Sequence, residues 1–119
     1  MKRLIAVLGF MLLAVPAFAK TTLNTSMMFV PFGYSEECNV VNVGSKPVTV
    51  IVSITTGDGV VIDSASLTVA PGLGGFISDG VKSGVYCSFE LGSGSAKTVR
   101  GALVVTDPSN NPVATLPAS

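Results

Sequence analysis

The sequence contains no histidine and no tryptophan, and only 12% of its residues are charged. Histidine is the commonest general base in enzymes and the commonest transition-metal ligand, so its absence removes the usual centre of an active site. Two cysteines are too few for a structural zinc site. No stretch beyond residue 20 shows helical periodicity. These absences predict an all-β protein that is not an enzyme and that holds no cofactor or metal ion.

The N-terminal 19 residues have the features of a secretory signal peptide. Two basic residues precede an uncharged apolar run at 4–15, and the small-x-small sequence Ala-Phe-Ala occupies 17–19. The alternative is a membrane anchor, which needs about 20 apolar residues and is therefore longer than this run. We expect cleavage between Ala19 and Lys20. Residues 20–119 should then form one exported domain, periplasmic or extracellular, with no membrane span.

Cleavage would leave a weakly acidic chain. Removal of two of the seven basic residues leaves five against seven acids, a formal charge of 5 − 7 = −2. The five remaining basic residues are scattered along the chain, whereas a nucleic-acid-binding protein concentrates them on one face. Nucleic acid is therefore excluded as a partner. The five are Lys20, Lys46, Lys82, Lys97 and Arg100.

Cys38 and Cys87 are predicted to form a structural disulfide, because an exported protein folds in an oxidising compartment. A redox-active pair is the alternative, but redox cysteines usually stand two residues apart with a tuned thiolate. These two are separated by 49 positions. A bridge that closes such a loop is worth about 4 kcal/mol in the chain-entropy model.

Apolar and polar residues alternate with period two through much of the chain, which predicts β-strands. The clearest cases start at Val48, Val85 and Val99, and glycine- or proline-containing turns separate the runs. Short strands with frequent turns are typical of a sandwich or barrel. Because each cysteine falls within a strand, we expect the bridge to join two facing sheets. The further strand candidates are Thr22–Val30, Glu37–Val43, Val60–Ile62, Leu67–Ala70 and Val113–Leu116.

The sequence has five segments that are best considered together: 37–50 (ECNVVNVGSKPVTV), 67–72 (LTVAPG), 86–89 (YCSF), 99–103 (VRGAL) and 116–118 (LPA). Together they resemble small exported bacterial proteins of unknown function with an immunoglobulin- or fibronectin-like fold. The resemblance implies a single immunoglobulin-like antiparallel β-sandwich of about seven to eight strands with one inter-strand disulfide. It carries no activity and no site residue that could be transferred. The chain departs from true immunoglobulin domains because it has no tryptophan to pack on the bridge.

The acidic residues offer one alternative to a protein without a metal site. Asp58, Asp63 and Asp79 could converge on a calcium ion, but their spacing matches no known calcium loop and glycine-flanked turns favour aspartate. We therefore interpret them as solvated turn residues. Glu36 and Glu37 are neighbours and should face opposite sides of a strand.

The segment around Met27, Phe29, Phe32 and Tyr34 is apolar, rich in aromatic residues and close to the predicted mature N-terminus. We predict that one face of an edge strand, formed by Leu23, Thr25, Met27 and Phe29, joins the domain's own core, since so small a domain has little apolar area to spare. The alternative is an interaction segment or a strand donated to a partner, as in fibre-forming pilins.

These patterns favour an exported, non-catalytic binding or structural module with an unknown protein or surface partner. The alternative is a subunit of a surface fibre or coat that assembles by strand exchange. The sequence specifies neither the partner nor the oligomeric state.

Overall fold

A computed structural model describes residues 21–80, 84–92 and 96–119 of the chain. The predicted signal peptide and its cleavage position lie outside these described residues. The described residues form nine strands and one 3-10 turn, Ala96–Thr98. The strands are β1 Thr21–Asn24, β2 Met28–Phe29, β3 Ser35–Asn42, β4 Val48–Thr56, β5 Val61–Val69, β6 Gly74–Asp79, β7 Gly84–Leu91, β8 Val99–Thr106 and β9 Pro112–Pro117.

The strands form two sheets, and every pairing is antiparallel. Sheet A has the order β1-β7-β4-β5, with β2 also paired to β7, and sheet B has the order β6-β3-β8-β9. The chain remains within one sheet at the β4–β5 and β8–β9 hairpins. Every other connection after β2 crosses from one sheet to the other. The predicted all-β class with two packed sheets is confirmed.

The core lies between the sheets, where the alternating sequence pattern places one face of each strand. Burial alternates residue by residue along β3, β7 and β8. Cys38 of β3 and Cys87 of β7 are both fully buried and form the disulfide, with an S–S distance of 2.02 Å and a Cα–Cα distance of 5.7 Å. The predicted bridge is thus confirmed, and it joins sheet B to sheet A. The buried apolar residues are Val30, Cys38, Val40, Val48, Val50, Val52, Ile54, Val69, Val85, Cys87, Phe89, Leu91, Val99, Leu103 and Val105.

Phe89 fills the part of the core that lies against β8. The ring is fully buried and packs on the backbone of Gly101 in the facing sheet, where a built Cβ would lie 2.7 Å from a ring carbon. Non-bonded carbon atoms do not approach this closely, so a side chain at this position would force the Phe89 ring or the backbone to shift. The glycine therefore makes room for the aromatic ring in a core that lacks tryptophan.

One side of the sandwich is closed by backbone hydrogen bonds between its two edges. The Asn24 amide donates to the Ser119 carbonyl over 3.1 Å, and the Ser119 amide donates to the Asn24 carbonyl over 3.0 Å. The residues that follow β9 thus connect sheet B to β1 of sheet A. This pairing covers edge groups that would otherwise face solvent.

Two of the strands that follow β4 differ from the sequence predictions. β5 is one strand, Val61–Val69, where two short candidates were predicted, because its polar middle pairs with β4 in continuous register from Ser64 to Val69. β6 was not predicted at all, since it begins with two glycines and carries no apolar alternation. It forms because its backbone pairs with β3 from Gly74 to Asp79.

Candidate functional site

A bulge between β1 and β2 determines which side chains of the N-terminal segment reach the surface. Asn24 pairs with Ser88, and Met28 pairs with Val85. Between these two pairs the first strand has one residue more than β7, so the inward and outward positions exchange. Thr25 holds the bulge, because its amide donates to the Cys87 carbonyl over 3.0 Å and its Oγ1 accepts the Cys87 amide over 3.0 Å.

This exchange of inward and outward positions contradicts the prediction that Met27 and Phe29 belong to the core. Met27 is 57% exposed and Phe29 is 69% exposed, whereas Val30 is fully buried and Met28 packs against the core. The predicted strand Thr22–Val30 assumed an unbroken alternation, which the extra residue interrupts. Of the predicted face, Leu23 packs against the core and Thr25 is buried, as expected.

Met27 lies over a contact between two glycines at one end of sheet A. Its Sδ is 2.7 Å from the position that a Cβ on Gly57 would take and 3.0 Å from the corresponding position on Gly84. The Gly57 amide also donates to the Gly84 carbonyl over 3.1 Å. Phe29 is the residue paired with Gly84. The absence of side chains on the two glycines therefore leaves the space that Met27 occupies.

The turns of the same end add further exposed apolar side chains. Phe32, in the turn between β2 and β3, is 76% exposed. Its neighbour Gly33 lies beside Pro108 of the β8–β9 turn, because a Cβ on Gly33 would lie 3.8 Å from the Pro108 Cγ. The β4–β5 hairpin contributes two exposed valines, one in its turn and one at the start of β5. We call this surface the aromatic end and define it by Met27, Phe29, Phe32, Val60 and Val61.

Tyr34, the fourth residue of the predicted interaction segment, behaves differently from Phe32. It is half-buried and packs against the core, and its amide donates to the Pro31 carbonyl over 3.1 Å. The segment therefore divides into three exposed side chains and one that helps to fix the turn.

The three aspartates of the calcium alternative do not come together. Each accepts a local hydrogen bond: Asp58 from the Thr56 hydroxyl, Asp63 from the Ser64 amide over 2.8 Å, and Asp79 from the Gly80 amide over 2.6 Å. Asp58 and Asp63 belong to sheet A and its hairpin, whereas Asp79 ends β6 of sheet B. Within residues 21–80, 84–92 and 96–119, no three acid or cysteine side chains lie together.

Glu36 and Glu37 face opposite sides of β3, as predicted. Glu36 is fully buried on the inner face of sheet B, in register with Asp79 on one side and Val105 on the other. Glu37 is half-exposed on the outer face. Burial of Glu36 was not predicted, because nothing in its own sequence distinguishes it from its neighbour.

The opposite end of the sandwich is built around the buried side chain of Asn42. Its Nδ2 donates to the Lys46 carbonyl over 2.7 Å and to the Val69 carbonyl over 2.9 Å, and its Oδ1 accepts the Gly44 amide over 2.9 Å. Its backbone carbonyl accepts the amide of Gly72, a residue with φ of +79°. One side chain thus joins the β3–β4 turn to the end of β5.

Basic side chains are exposed around this Asn42-centred end. They are Lys46 in the β3–β4 turn, Lys97 in the 3-10 turn and Arg100 near the start of β8. The Arg100 guanidinium donates to the Val99 carbonyl over 2.9 Å. We call this surface the basic end. Val43 and Leu73 are exposed beside it.

The outer face of sheet A is rich in hydroxyl groups and differs from both ends. Cross-strand hydrogen bonds join Ser53 to Ser64 over 3.1 Å and Ser88 to Asn24 over 2.7 Å. Ser66 is exposed on the same face. Paired hydroxyls of this kind satisfy each other across strands and leave a solvated surface.

Comparison with known proteins supports the fold and no more. No family model matches the chain, and no curated protein matches it. Among solved structures, the chain is similar to the protein in "Crystal Structure of Thermotoga maritima 1070", with a TM-score of 0.59 and 13% sequence identity. The match covers 82% of this chain and 91% of the Thermotoga maritima chain. None of the described residues form a helix with the length and hydropathy of a membrane span.

Proposed function

We propose that this protein is an exported, non-catalytic binding module that engages a protein partner through its aromatic end. The observation that carries the proposal is the exposure of Met27, Phe29 and Phe32 together at one end of the sandwich. Leaving large apolar side chains in water forgoes stabilisation that a small domain needs. Aromatic residues and methionine are also the types enriched at protein interfaces.

The placement of these residues fits the same role, because Met27 lies in the bulge, Phe29 ends β2 and Phe32 lies in the turn that follows. Binding residues are often carried on loops that a rigid scaffold positions. Here the scaffold fixes the segment at both sides, through the two Thr25 bonds to Cys87 and through Tyr34 packed against the core. The backbone that carries the exposed side chains is thus fixed before a partner arrives, which lowers the entropy cost of binding.

Export is part of the proposal and rests on the predicted signal peptide. The Cys38–Cys87 bridge is consistent with an oxidising compartment such as the periplasm or the cell exterior.

We further propose that the fold is a variant of the immunoglobulin-like sandwich. The bridge joins β3 to β7, with β6 beside β3 and β4 beside β7, as the B–F bridge does in immunoglobulin domains with strand E beside B and strand C beside F. The edges differ, because β1 lies beside β7 and β8 lies beside β3. In immunoglobulin domains the first strand lies beside B and the last beside F.

The alternative function is a fibre or coat subunit that exchanges strands. The observation in its favour is that β1 and β2 are short, with four and two residues, and stand at the edge of sheet A. A neighbouring chain's segment could replace them on β7. Strand exchange would place Thr21–Phe29 of one chain against β7 of another.

Site-specific crosslinking in the producing cell tests the proposed function. A photoreactive benzoylphenylalanine replaces Phe32 in one version of the protein and Ser66 in a matched control on the hydroxyl-rich face. We expect a crosslinked adduct larger than the monomer from position 32 and none from position 66. Equal adducts at both positions, or none at either, would contradict a binding role for the aromatic end.

A further inference from the structure

The two ends of the sandwich carry opposite charge. The three described basic residues, Lys46, Lys97 and Arg100, all lie at the basic end. Among the described acids, Glu90 alone lies there, one residue before the end of β7, so the charge of this end remains positive. The aromatic end carries the acids of its turns and strand ends, which are Asp58, Asp79 and Asp107, with Glu37 two residues into β3. Lys82 is outside the described residues, and the sequence places it between β6 and β7. Even if Lys82 is assigned to the aromatic end, acids remain in excess there.

Both ends also expose apolar side chains. The aromatic end has Phe29 at 69% exposure and Phe32 at 76%, and the basic end has Leu73 at 60% and Val43 at 51%. Each end therefore combines apolar contact area with surrounding charge, which is the usual composition of an interface with a polar rim. The charges around the two apolar areas are complementary to each other.

We infer that the partner of the aromatic end is the basic end of a second copy of this chain, so that molecules associate head to tail. The inference rests on the proposed function, since it names the partner of the same surface. Opposite charges on the two surfaces steer the encounter and fix its orientation. A symmetric contact between two aromatic ends would instead bring Asp58 and Asp107 of both copies together, and like charges oppose that arrangement.

A head-to-tail contact uses two different surfaces, so it does not close on itself after two molecules. It leaves one free aromatic end and one free basic end on every dimer. Association should therefore continue as the concentration rises and weaken as salt screens the charges. This differs from strand exchange, because β1 and β2 stay on their own β7.

Two variants, each disabled at one end, test the inference. Phe29→Ser with Phe32→Ser removes apolar contact from the aromatic end. Lys46→Glu with Lys97→Glu reverses charge at the basic end, and Arg100 is kept because its guanidinium binds the Val99 carbonyl. A Ser66→Glu variant controls for the added charge. Circular dichroism melting first establishes that each purified protein is folded.

Sedimentation velocity over a concentration series then measures association of the mature protein. We expect the unmodified protein and the Ser66 control to associate, with affinity falling on the order of tenfold between low salt and about 0.5 M salt. Each end variant alone should weaken association by at least about tenfold. Mixed in equal amounts, the two variants should form a dimer that does not grow further, because each contributes its one intact end.

Three results would overturn the inference. The unmodified protein could remain monomeric at about 1 mM in low salt, a concentration at which even a weak contact is populated. The basic-end variant could associate as well as the parent, which would indicate a symmetric contact. The mixture could fail to form the dimer although the parent associates. A crosslink from position 32 to a different protein would leave the proposed function intact in any of these cases, whereas absence of every adduct would remove both.

Discussion

Replacement of Asn42 provides a sharp test of how the basic end is held together. Its side chain is fully buried and makes three hydrogen bonds, two as donor and one as acceptor. In Asn42→Ala, water can reach the Gly44 amide and the Lys46 carbonyl, because both residues are partly or fully exposed. The Val69 carbonyl cannot recover a donor so easily, since Val69 is 4% exposed.

The magnitude follows from these three partners. A buried carbonyl left without a donor costs about 1–3 kcal/mol, and each of the two recoverable bonds costs up to about 1 kcal/mol. We therefore expect Asn42→Ala to lower the free energy of unfolding by about 2–4 kcal/mol. The matched control is Asn39→Ala, on the outer, half-exposed face of the same strand, which should cost far less.

The pH dependence of the stability of an Asn42→Asp variant provides a second test of the Asn42 hydrogen bonds. The new carboxylate would face the carbonyl oxygens of Lys46 and Val69, which the amide now faces as a donor. Burial and these oxygens raise the pKa of the introduced carboxyl above its unfolded value of about 3.9. A raised folded pKa means that the variant is closest to the parent below about pH 4 and loses stability as pH rises through the folded pKa.

Urea unfolding followed by circular dichroism measures both effects, since the chain has no tryptophan for fluorescence. The deficit of Asn42→Asp relative to the parent should be larger at pH 7 than at pH 4. A deficit below about 0.5 kcal/mol at pH 7, or one that does not change with pH, would refute the role assigned to the Asn42 amide.

Three further predictions concern the core, the disulfide and the signal peptide. Gly101→Ala should cost about 1–3 kcal/mol in thermal or urea unfolding because its Cβ meets the Phe89 ring, and adding Phe89→Leu should recover part of that loss; an additive pair would contradict the contact. Simultaneous Cys38→Ala and Cys87→Ala should lower stability by about 4 kcal/mol, and an unchanged melting temperature would show that the bridge is not structural. Intact-mass analysis of exported protein should place its N-terminus at Lys20, whereas residues 1–19 retained in a membrane fraction would argue for an anchor.

The strongest alternation in the sequence predicted the central strands correctly. β4, β7 and β8 pack one face on the core, so their apolar residues recur with period two. β6 lacked this pattern because it stands at an edge and begins at Gly74, and its formation depends on hydrogen bonds to β3. Hydrogen-bond pairing with a strand that is distant in the chain leaves no pattern in the local sequence.

The sequence predicted which segment forms the candidate site, but it assigned the wrong side chains to the core and to the surface. The error came from one extra residue between Thr25 and Met28, which the sequence pattern alone does not locate. The bulge depends on Thr25 bonding to Cys87, 62 positions away. Asn42 was missed for a similar reason, since its partner Val69 is 27 positions away. Sequence predicted the chemistry of the segment, and long-range contacts determined its orientation.

The most direct test of the account compares the aromatic end with the core by unfolding free energy. Phe29 and Phe32 face water in the free protein, and we propose that they serve a partner. Phe29→Ala combined with Phe32→Ala should then change the free energy of unfolding by less than about 1 kcal/mol. Leu103→Ala, at a fully buried position, should lose about 2–5 kcal/mol in the same measurement. A loss of 2 kcal/mol or more from the double phenylalanine variant, on the scale of about 2–5 kcal/mol for core truncation, would place these side chains in the core and contradict the account.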